Sequence, residues 1–376
     1  MGDSSDDITR MKLVIQSTSR VWGGNEKWFA TVGAGLVKRG HEVVVSCPDG
    51  VVRERLKQRG LRTSGFRPRG VIDPVSGLTF AGWLRYEKPD AVLATSWNPT
   101  AWVAAAARAA GVKRVAVRLG ILRSAPQVGP KGLAFRKGVD ALIVNSPEIR
   151  DEWLRTLPSF PPEKVHLILN GVEQAPYHRT ALATALRSEL NVPSTAMLVG
   201  GAGNISERKG FDITLRALSL ARNEGLHLVI IGDGPYRQTL VDLSRQLSVQ
   251  TRVHWLGRRE QAADLIAGCD MFVLSSRNEG MANVMLEAMA ARTPVIGADV
   301  SGVRLALGAT DLRPEAGWIV SPEDPASLTT EIEKLAAALA SGNPAVQART
   351  DEARWRIENW FEPNRMIDES EAAIFG

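Results

Sequence analysis

The chain has 376 residues, of which 44% are apolar and 34 are glycine, and a net charge of +5. This length suits two domains of about 150 to 190 residues, and the composition excludes a disordered, fibrous or disulfide-built protein. Cys47 and Cys269 form neither a CxxC pair nor a Cys/His cluster, so no structural zinc is expected. No apolar run reaches the ~18 residues of a membrane span, and the start MGDSSDDITR lacks the apolar segment of a signal peptide. We therefore expect a cytoplasmic protein.

Charge is distributed unevenly along the chain. Residues 1–172 contain 26 Lys and Arg against 15 Asp and Glu, a net charge of +11, whereas the remainder contains 20 against 26, a net charge of −6. A basic half indicates nucleic acid, an anionic membrane surface or acidic small molecules as partners, and it also fits ordinary solubilising charge on helix faces. The sequence shows no recognition-helix, RNP or zinc-finger pattern, so nucleic acid ranks last.

The first half alternates short apolar, β-branched runs with segments rich in Ala, Leu, Arg and Glu. Two of these segments close on glycine, at Gly40 and Gly111. Such alternation predicts a parallel sheet with helices on both faces. The run VVV at 43–45 supports this, because a strand apolar on both sides is expected only where both faces are covered. The predicted strands are 11–17, 41–47, 91–94, 114–119 and 141–145.

A second series of the same kind begins after the irregular stretch NGVEQAPYHRT at 170–180. Between its first two strands, Ile213, Ala217 and Leu220 fall on one helical face, and Gly225 is expected to end that helix. Residues 345–376 have a helical pattern after the last strand. The predicted strands of this series are 195–203, 226–231, 252–257, 270–276, 293–298 and 317–320. The chain therefore reads as two doubly wound α/β domains.

Two loops between a strand and a helix suit an anion, because ligands of open α/β sheets bind where strand ends lead into helix starts. After strand 11–17, Gly23 and Gly24 allow close approach of a ligand to the backbone and to helix N–H groups; an ordinary tight turn uses the same residues. After strand 195–203, Arg208 and Lys209 precede a helix and could hold a pyrophosphate. A solvated basic pair is the alternative, since the loop GGAGNISERKG is neither a Walker A sequence nor GxGxxG.

A third loop carries two carboxylates. Glu279 follows strand 270–276, and Glu287 lies about one turn into the next helix, a rise of only ~6 Å from Asn283. Both can reach one extended ligand, and carboxylates accept hydrogen bonds from hydroxyl pairs such as those of a ribose. The alternative, one capping and one exposed carboxylate, fits Glu287 poorly because the residues flanking it are Met, Leu and Ala.

At these motifs the sequence resembles the retaining, nucleotide-sugar-dependent glycosyltransferases of the GT-B fold, specifically glycosyltransferase family 4 (glycosyl transferases group 1). The likeness covers nearly the whole chain, and its most specific part is the E-x7-E element at 279–287. The matching segments are GGNE (23–26), RGHEVVV (39–45), LNGVE (169–173), residues 203–217, IGDGP (231–235), VHWLG (253–257) and CDMFVLSSRNEGMANVMLEAMAARTPVIGADVSGV (269–303).

The resemblance implies two Rossmann-like domains that face each other across a central cleft. The N-terminal domain, residues 1–172, would bind the acceptor, and the C-terminal helix at 358–376 would cross back onto it. Apart from the resemblance, Pro363 itself predicts a kink or helix break within that segment. The C-terminal domain, residues 173–357, would bind the nucleotide-sugar.

The resemblance also implies roles for individual residues. Lys209 would neutralise the leaving diphosphate, Glu279 would orient the donor sugar, and these two would be the catalytic residues. Glu287 would hold the ribose hydroxyls, and Gly23 and Gly24 would close over the diphosphate. Backbone N–H groups would be offered to the sugar and phosphate by Gly280, Met281, Ala282 and Asn283.

Two departures from the family pattern stand out. Asn204 occupies the position after the loop glycine where an arginine is common, so Arg208 would have to compensate. Residues 42–165 contain no histidine, although many members carry one near the transferred sugar. Arg118 or backbone groups would have to serve there.

The expected activity is transfer of a sugar, with retention, from a nucleoside diphosphate sugar such as a UDP-sugar to a saccharide, lipid-linked or small-molecule acceptor, as in hexosyltransferases of polysaccharide biosynthesis. We expect neither metal nor cofactor, because cations and helix starts can stabilise a diphosphate by themselves. Alternatives are a sugar-nucleotide epimerase of the same fold and a non-enzymatic nucleotide-sugar-binding subunit; Asn204 and the missing histidine suggest the latter. The basic half suggests an acceptor met at the inner membrane surface.

Overall fold

Two parallel β-sheets, one in each of two units, carry the loops on which the predicted site depends. The computed structural model describes residues 10–65, 74–126 and 129–376. Unit 1 consists of residues 1–171 and 363–376, and unit 2 of residues 172–362. The parallel sheets, with apolar clusters against their faces, confirm the predicted GT-B class of α/β fold.

Unit 1 contains a seven-stranded sheet in the order β3-β2-β1-β4-β5-β6-β7, and its neighbouring strands pair in parallel. One face of the sheet packs under α3 to α6 and the other under α1 and α2. The strands are β1 Lys12–Gln16, β2 Glu42–Ser46, β3 Arg62–Ser64, β4 Ala91–Ala94, β5 Arg114–Leu119, β6 Ala141–Val144 and β7 Val165–Leu167. The helices are α1 Gly24–Lys38, α2 Val51–Gln58, α3 Pro74–Glu87, α4 Thr100–Ala109, α5 Gly129–Gly138 and α6 Pro147–Thr156.

Unit 2 contains a six-stranded sheet in the order β10-β9-β8-β11-β12-β13, also with parallel neighbours. Its strands are β8 Met197–Ala202, β9 Leu226–Ile231, β10 Val253–Gly257, β11 Met271–Leu274, β12 Val295–Ala298 and β13 Trp318–Val320. Its helices are α7 Arg179–Leu190, α8 Phe211–Leu220, α9 Arg237–Gln246, α10 Ala262–Gly268, α11 Asn283–Ala290, α12 Val303–Leu307, α13 Pro325–Ala340 and α14 Pro344–Asn359.

The last helix, α15 Pro363–Phe375, belongs to unit 1 although it follows unit 2 in the chain. It packs against α1, and Ile367 fills the space that a side chain at Gly35 would take, since a Cβ there would lie 2.4 Å from Ile367 Cδ1. Met366 and Ile374 are also buried in the core of unit 1. The β1–α1 half of unit 1 is therefore completed by the end of the chain.

Two local predictions need correction. The strands β3 and β7 were not predicted, because each has only three residues at an edge of the sheet and neither is an apolar run. The helix expected to end at Gly225 ends at Leu220, because Ala221 already has an extended backbone with ψ 133°. Leu220 is exposed and does not share the buried face of Ile213 and Ala217.

Strand order places the loops that matter for binding. In each sheet the first strand, β1 or β8, lies between its successor and a later strand, β4 or β11. At such a switch point the connections leave in opposite directions and open a crevice beyond the carboxyl ends of the strands. The loops after β1, β8 and β11 are those in which the sequence placed glycines, cations and carboxylates.

Candidate functional site

The loops after β8 and β11 lie side by side at the carboxyl edge of the unit 2 sheet. Gly203 directly follows β8, and its φ of 140° favours glycine. Gly210 caps α8 with φ 64°, and a Cβ at Gly210 would lie only 1.9 Å from the carbonyl oxygen of Ser275. The absence of a side chain at Gly210 therefore lets the start of α8 touch the loop after β11.

Glu279 joins these two loops by charge. Its Oε1 lies 2.6 Å from Lys209 Nζ and 3.0 Å from Arg208 Nη1, and it accepts a hydrogen bond of 2.9 Å from Ser276 Oγ. Arg208 also donates to the carbonyl oxygen of Asn278 at 2.6 Å. The structure thus brings together three of the predicted site residues, Arg208, Lys209 and Glu279. With Ser276 they form what we call the Glu279 cluster.

Glu279 and Lys209 are largely buried, whereas the Arg208 side chain is 37% exposed. Burial raises the pKa of Glu279, but the charges of Lys209 and Arg208 outweigh it and hold that pKa below its ordinary value. Glu279 is therefore a carboxylate at neutral pH and fixes the orientation of both cations. Cations held in place before a ligand arrives need little rearrangement to stabilise a developing negative charge.

Glu287 is the fifth residue of α11 and is buried. Burial raises the pKa of the half-buried Tyr177, and the charge of Glu287 raises it further. Its place in α11, the helix that follows β11 at the carboxyl edge of the sheet, makes Glu287 a candidate binding residue. The helix neighbours that are fully buried around it are Met285, Leu286, Ala288 and Met289.

The loop between Glu279 and α11 is shaped by backbone contact. Ala282 is the N-cap of α11, which begins at Asn283, and Met281 and Ala282 are buried. Gly302, with φ 77°, approaches so closely that a Cβ there would lie 1.8 Å from the carbonyl oxygen of Gly280. The residues predicted to offer backbone N–H groups therefore form a fixed turn leading into a helix start.

Arg277 forms a second connection between the loops after β8 and β11, and the sequence did not predict it. Its Nη1 and Nη2 donate to the two carboxylate oxygens of Asp212 at 2.8 and 2.7 Å, and Nη1 also donates to the carbonyl oxygen of Glu207 at 2.7 Å. Its backbone N–H donates to the carbonyl oxygen of Arg208 at 2.8 Å. The Arg277–Asp212 fork therefore holds the start of α8 beside the Glu279 cluster.

We expect Arg277→Met to lower the free energy of unfolding by about 1–3 kcal/mol, because it leaves the largely buried Asp212 without its paired cation. Burial raises the pKa of Asp212, but Arg277 outweighs it and holds that pKa below its ordinary value. The stabilisation is therefore present above the unfolded pKa of about 4 and is lost as pH falls through the lower folded pKa. Urea unfolding near neutral pH and at about pH 3 measures both effects.

A matched control for this prediction is Arg245→Met. Arg245 bonds to Asp242 on the exposed surface of α9, where an ion pair contributes about 0.5 kcal/mol or less. Equal losses for the two variants would show that the Arg277–Asp212 fork has no special structural role.

In unit 1, Gly23 and Gly24 lie where α1 begins, after the carboxyl end of β1. Gly23 is the extended N-cap residue, and its N–H donates to Glu26 Oε2 at 3.0 Å. One backbone donor of this predicted anion-binding loop is thus bonded to a carboxylate in the first turn. Glu26 shares the helix start with any anion that binds there.

Arg118, near the end of β5, connects three elements of unit 1. Its Nη1 donates to Asn25 Oδ1 at 2.7 Å, and its Nη2 donates to Asn170 Oδ1 at 3.1 Å. Its Cζ lies 4.4 Å from the centroid of the Trp28 ring. We call Asn25, Trp28, Arg118 and Asn170 the Arg118 brace. Both terminal nitrogens are used within the protein, which favours a positioning role over direct contact with a sugar.

The charge of Arg118 survives its burial. Burial lowers the pKa of Arg118 to about 10, and the nearby Glu26 opposes this shift. Arg118 is therefore a cation at neutral pH and offsets the carboxylate that caps α1. Asn25, the residue after Gly24, also donates to the carbonyl oxygen of Thr95 at 3.2 Å, so the first turn of α1 is fixed from the ends of β4, β5 and β7.

The remaining predictions concern Asn204 and metal binding. Asn204 is exposed in the loop after β8, whereas Arg208 lies in the Glu279 cluster. Within residues 10–65, 74–126 and 129–376, no three His, Cys, Asp or Glu side chains lie close enough together to hold a metal ion.

Family models of glycosyltransferases match both halves of the chain. Residues 22–175 match the model described as "Glycosyltransferase Family 4", and residues 196–338 match the model described as "Glycosyl transferases group 1". The lipopolysaccharide core biosynthesis glycosyltransferase LpsE of Rhizobium meliloti is 29% identical over 282 residues, which is 73% of this chain and 75% of LpsE.

A second relative and a solved structure are also similar to this chain. The D-inositol 3-phosphate glycosyltransferase of Xylanimonas cellulosilytica is 30% identical over 265 residues, or 65% of this chain and 60% of that protein. The crystal structure of Anabaena HepE in complex with UDP-glucose superposes with a TM-score of 0.80 at 20% identity, covering 97% of this chain and all of HepE. At this identity the structural match establishes the shared fold.

Proposed function

Since the chain carries glycosyltransferase domains at residues 22–175 and 196–338, we propose that it is a retaining, metal-independent glycosyltransferase that uses a nucleoside diphosphate sugar. The Glu279 cluster carries this proposal, because it presents two oriented cations beside a helix start at a sheet switch point. In our proposal Lys209 and Arg208 bind the diphosphate, Glu279 orients the donor sugar, and Glu287 accepts hydrogen bonds from the ribose hydroxyls. Exposed Asn204 lies near the phosphates.

In the proposed reaction, the bond from the sugar anomeric carbon to the diphosphate breaks while the bond to the acceptor oxygen forms on the same face. The acceptor proton passes to a phosphate oxygen of the leaving group, so a separate base is not required. Lys209 stabilises the charge that accumulates on the diphosphate. Glu279, already neutralised by two cations, acts as an orienting group and not as a nucleophile.

The substrates we propose are a UDP-hexose donor and a saccharide acceptor that is lipid-linked and belongs to polysaccharide biosynthesis. HepE binds UDP-glucose and LpsE is named for lipopolysaccharide core biosynthesis, which supports both choices. The net charge of +11 in residues 1–172 suits an anionic acceptor at the inner face of a membrane. No helix in the described ranges is long and apolar enough to cross a bilayer. The membrane contact that we propose is peripheral.

Incubation with UDP-, GDP-, ADP- and TDP-sugars and a set of saccharide acceptors tests the function. We expect release of UDP and, by proton NMR, a product with the donor's anomeric configuration, in the presence of EDTA. Glu287→Ala should weaken donor binding by roughly tenfold or more, because it removes charged hydrogen-bond acceptors. Inverted product would contradict retention, and binding of a donor without turnover by any acceptor would favour the non-enzymatic subunit.

A further inference from the structure

Helix α3 exposes apolar side chains on the side that faces away from the sheet. Val75, Leu78 and Tyr86 are 68%, 76% and 80% exposed, and their spacing places them on one stripe of the helix. The opposite side, with Phe80 and Leu84, is buried in the core. A helix at a protein surface normally turns polar residues to water, so α3 departs from this pattern along its length.

The apolar surface continues across the neighbouring helices. α4 packs against both α3 and α5; its exposed residues are Ala105 and Ala109, and α5 exposes Leu133. We call this surface the α3–α5 face. Five of the ten large exposed apolar residues in the described chain lie between residues 75 and 133: Val75, Leu78, Tyr86, Leu122 and Leu133.

Charge on the α3–α5 face has one sign. The described residues from 74 to 140 include three acidic residues, and each is at least half-buried. Glu87 forms ion pairs with Lys12 and Arg62, and Asp140 forms one with Arg108. Asp90 and Asp140 also accept hydrogen bonds from the backbone N–H groups of Lys12 and Val115, respectively. The exposed charged residues of α3 and α5 and of the turn after α3 are all cations: Arg85, Lys88, Arg136 and Lys137. The face ends at α6, where Asp151 is exposed.

We propose that the α3–α5 face docks on the surface of an anionic bilayer. Apolar tips that project from three neighbouring helices can enter the headgroup region, and Lys and Arg can extend their stems to place charge at lipid phosphates. Interfaces between proteins are typically depleted of Lys and Ala, and this face exposes both residue types. The inference rests on the proposed lipid-linked acceptor and names the surface that brings the enzyme to it.

Vesicle pelleting tests this surface without depending on catalysis. Full-length protein should pellet with phosphatidylglycerol/phosphatidylcholine vesicles more than with phosphatidylcholine alone. Leu78→Ser with Tyr86→Ser should weaken binding roughly tenfold or more, and Arg136→Gln with Lys137→Gln should weaken it about fivefold per cation and reduce its salt dependence. Circular dichroism confirms that each variant is folded.

Matched controls come from unit 2. Leu312→Ser removes a leucine that is 90% exposed, and Arg222→Gln with Lys334→Gln removes two exposed cations; neither should change vesicle binding. Equal binding to neutral and anionic vesicles, or patch variants that bind like the controls, would overturn the proposal. A dimer that Leu78→Ser with Tyr86→Ser dissociates would assign the face to a second copy of the chain. If the wild-type protein showed no sugar transfer, the vesicle-pelleting result would still stand, and only the proposed glycosyltransferase function would be contradicted.

Discussion

Lys209→Ala is expected to lower kcat/KM for sugar transfer by about 10²–10³-fold. Lys209 contributes one of the two cations of the Glu279 cluster, and in our proposal it stabilises the leaving diphosphate. Losing one group that stabilises developing charge costs this much in other enzymes. The substitution also leaves buried Glu279 with one cation fewer. Initial rates at varied donor concentration, with the donor that the wild type uses, measure the loss.

The control for Lys209 is Lys334→Ala. Lys334 is exposed on α13, 3.7 Å from Glu331 Oε2, and its removal should leave kcat/KM unchanged. A thermal melt separates lost chemistry from lost folding. If Lys209→Ala stayed within tenfold of the wild-type kcat/KM, the Glu279 cluster would not be the diphosphate site.

Arg118→Met is expected to lower kcat/KM by roughly tenfold or more, because it removes the bonds that hold Asn25 and the first turn of α1. If Arg118 acts through Asn25, then Asn25→Ala should cause a similar loss. The double variant should be no worse than the more damaging single variant, since two residues of one network are not additive. Arg118→Lys should lower kcat/KM as well, because a lysine ammonium cannot donate to both Asn25 and Asn170 at once.

These variants discriminate between a positioning role and a direct one. If Arg118 contacted the substrate through its charge, Arg118→Lys would retain most of the activity and the effects of Arg118→Met and Asn25→Ala would multiply. Donor and acceptor KM and kcat, measured for all four proteins, therefore decide the role. Unfolding in urea shows how much of each loss reflects stability, because Arg118→Met removes one donor from the buried Asn170 and one from the half-buried Asn25.

The fold was predictable because the apolar runs of the sequence and their spacing follow from parallel sheets covered on both faces. Runs such as 43–45 become fully buried central strands. The edge strands β3 and β7 escaped prediction because an edge needs less apolar surface and each contributes only three residues. The end of α8 was misplaced because Ala221 leaves the helix without the glycine on which the prediction relied.

From residue spacing alone, the candidate site was predictable only where its residues are close in the sequence. Arg208 and Lys209 lie together, and Glu279 and Glu287 share one loop and helix. The contact of Lys209 with Glu279 spans 70 residues and follows from the adjacency of β8 and β11, which sequence spacing does not specify. The Arg118 brace was missed for the same reason, because the partners of Arg118 are 93 and 52 residues away.

The place of α15 has a consequence for how the newly made chain matures. Residues 172–362, which make up unit 2, are synthesised before α15. Until then the groove at Gly35 that receives Ile367 remains open. The usual order, in which the N-terminal domain finishes first, is therefore inverted. Unit 1 cannot complete its core until α15 has been made, and truncation before Pro363 would leave unit 2 intact and unit 1 incomplete.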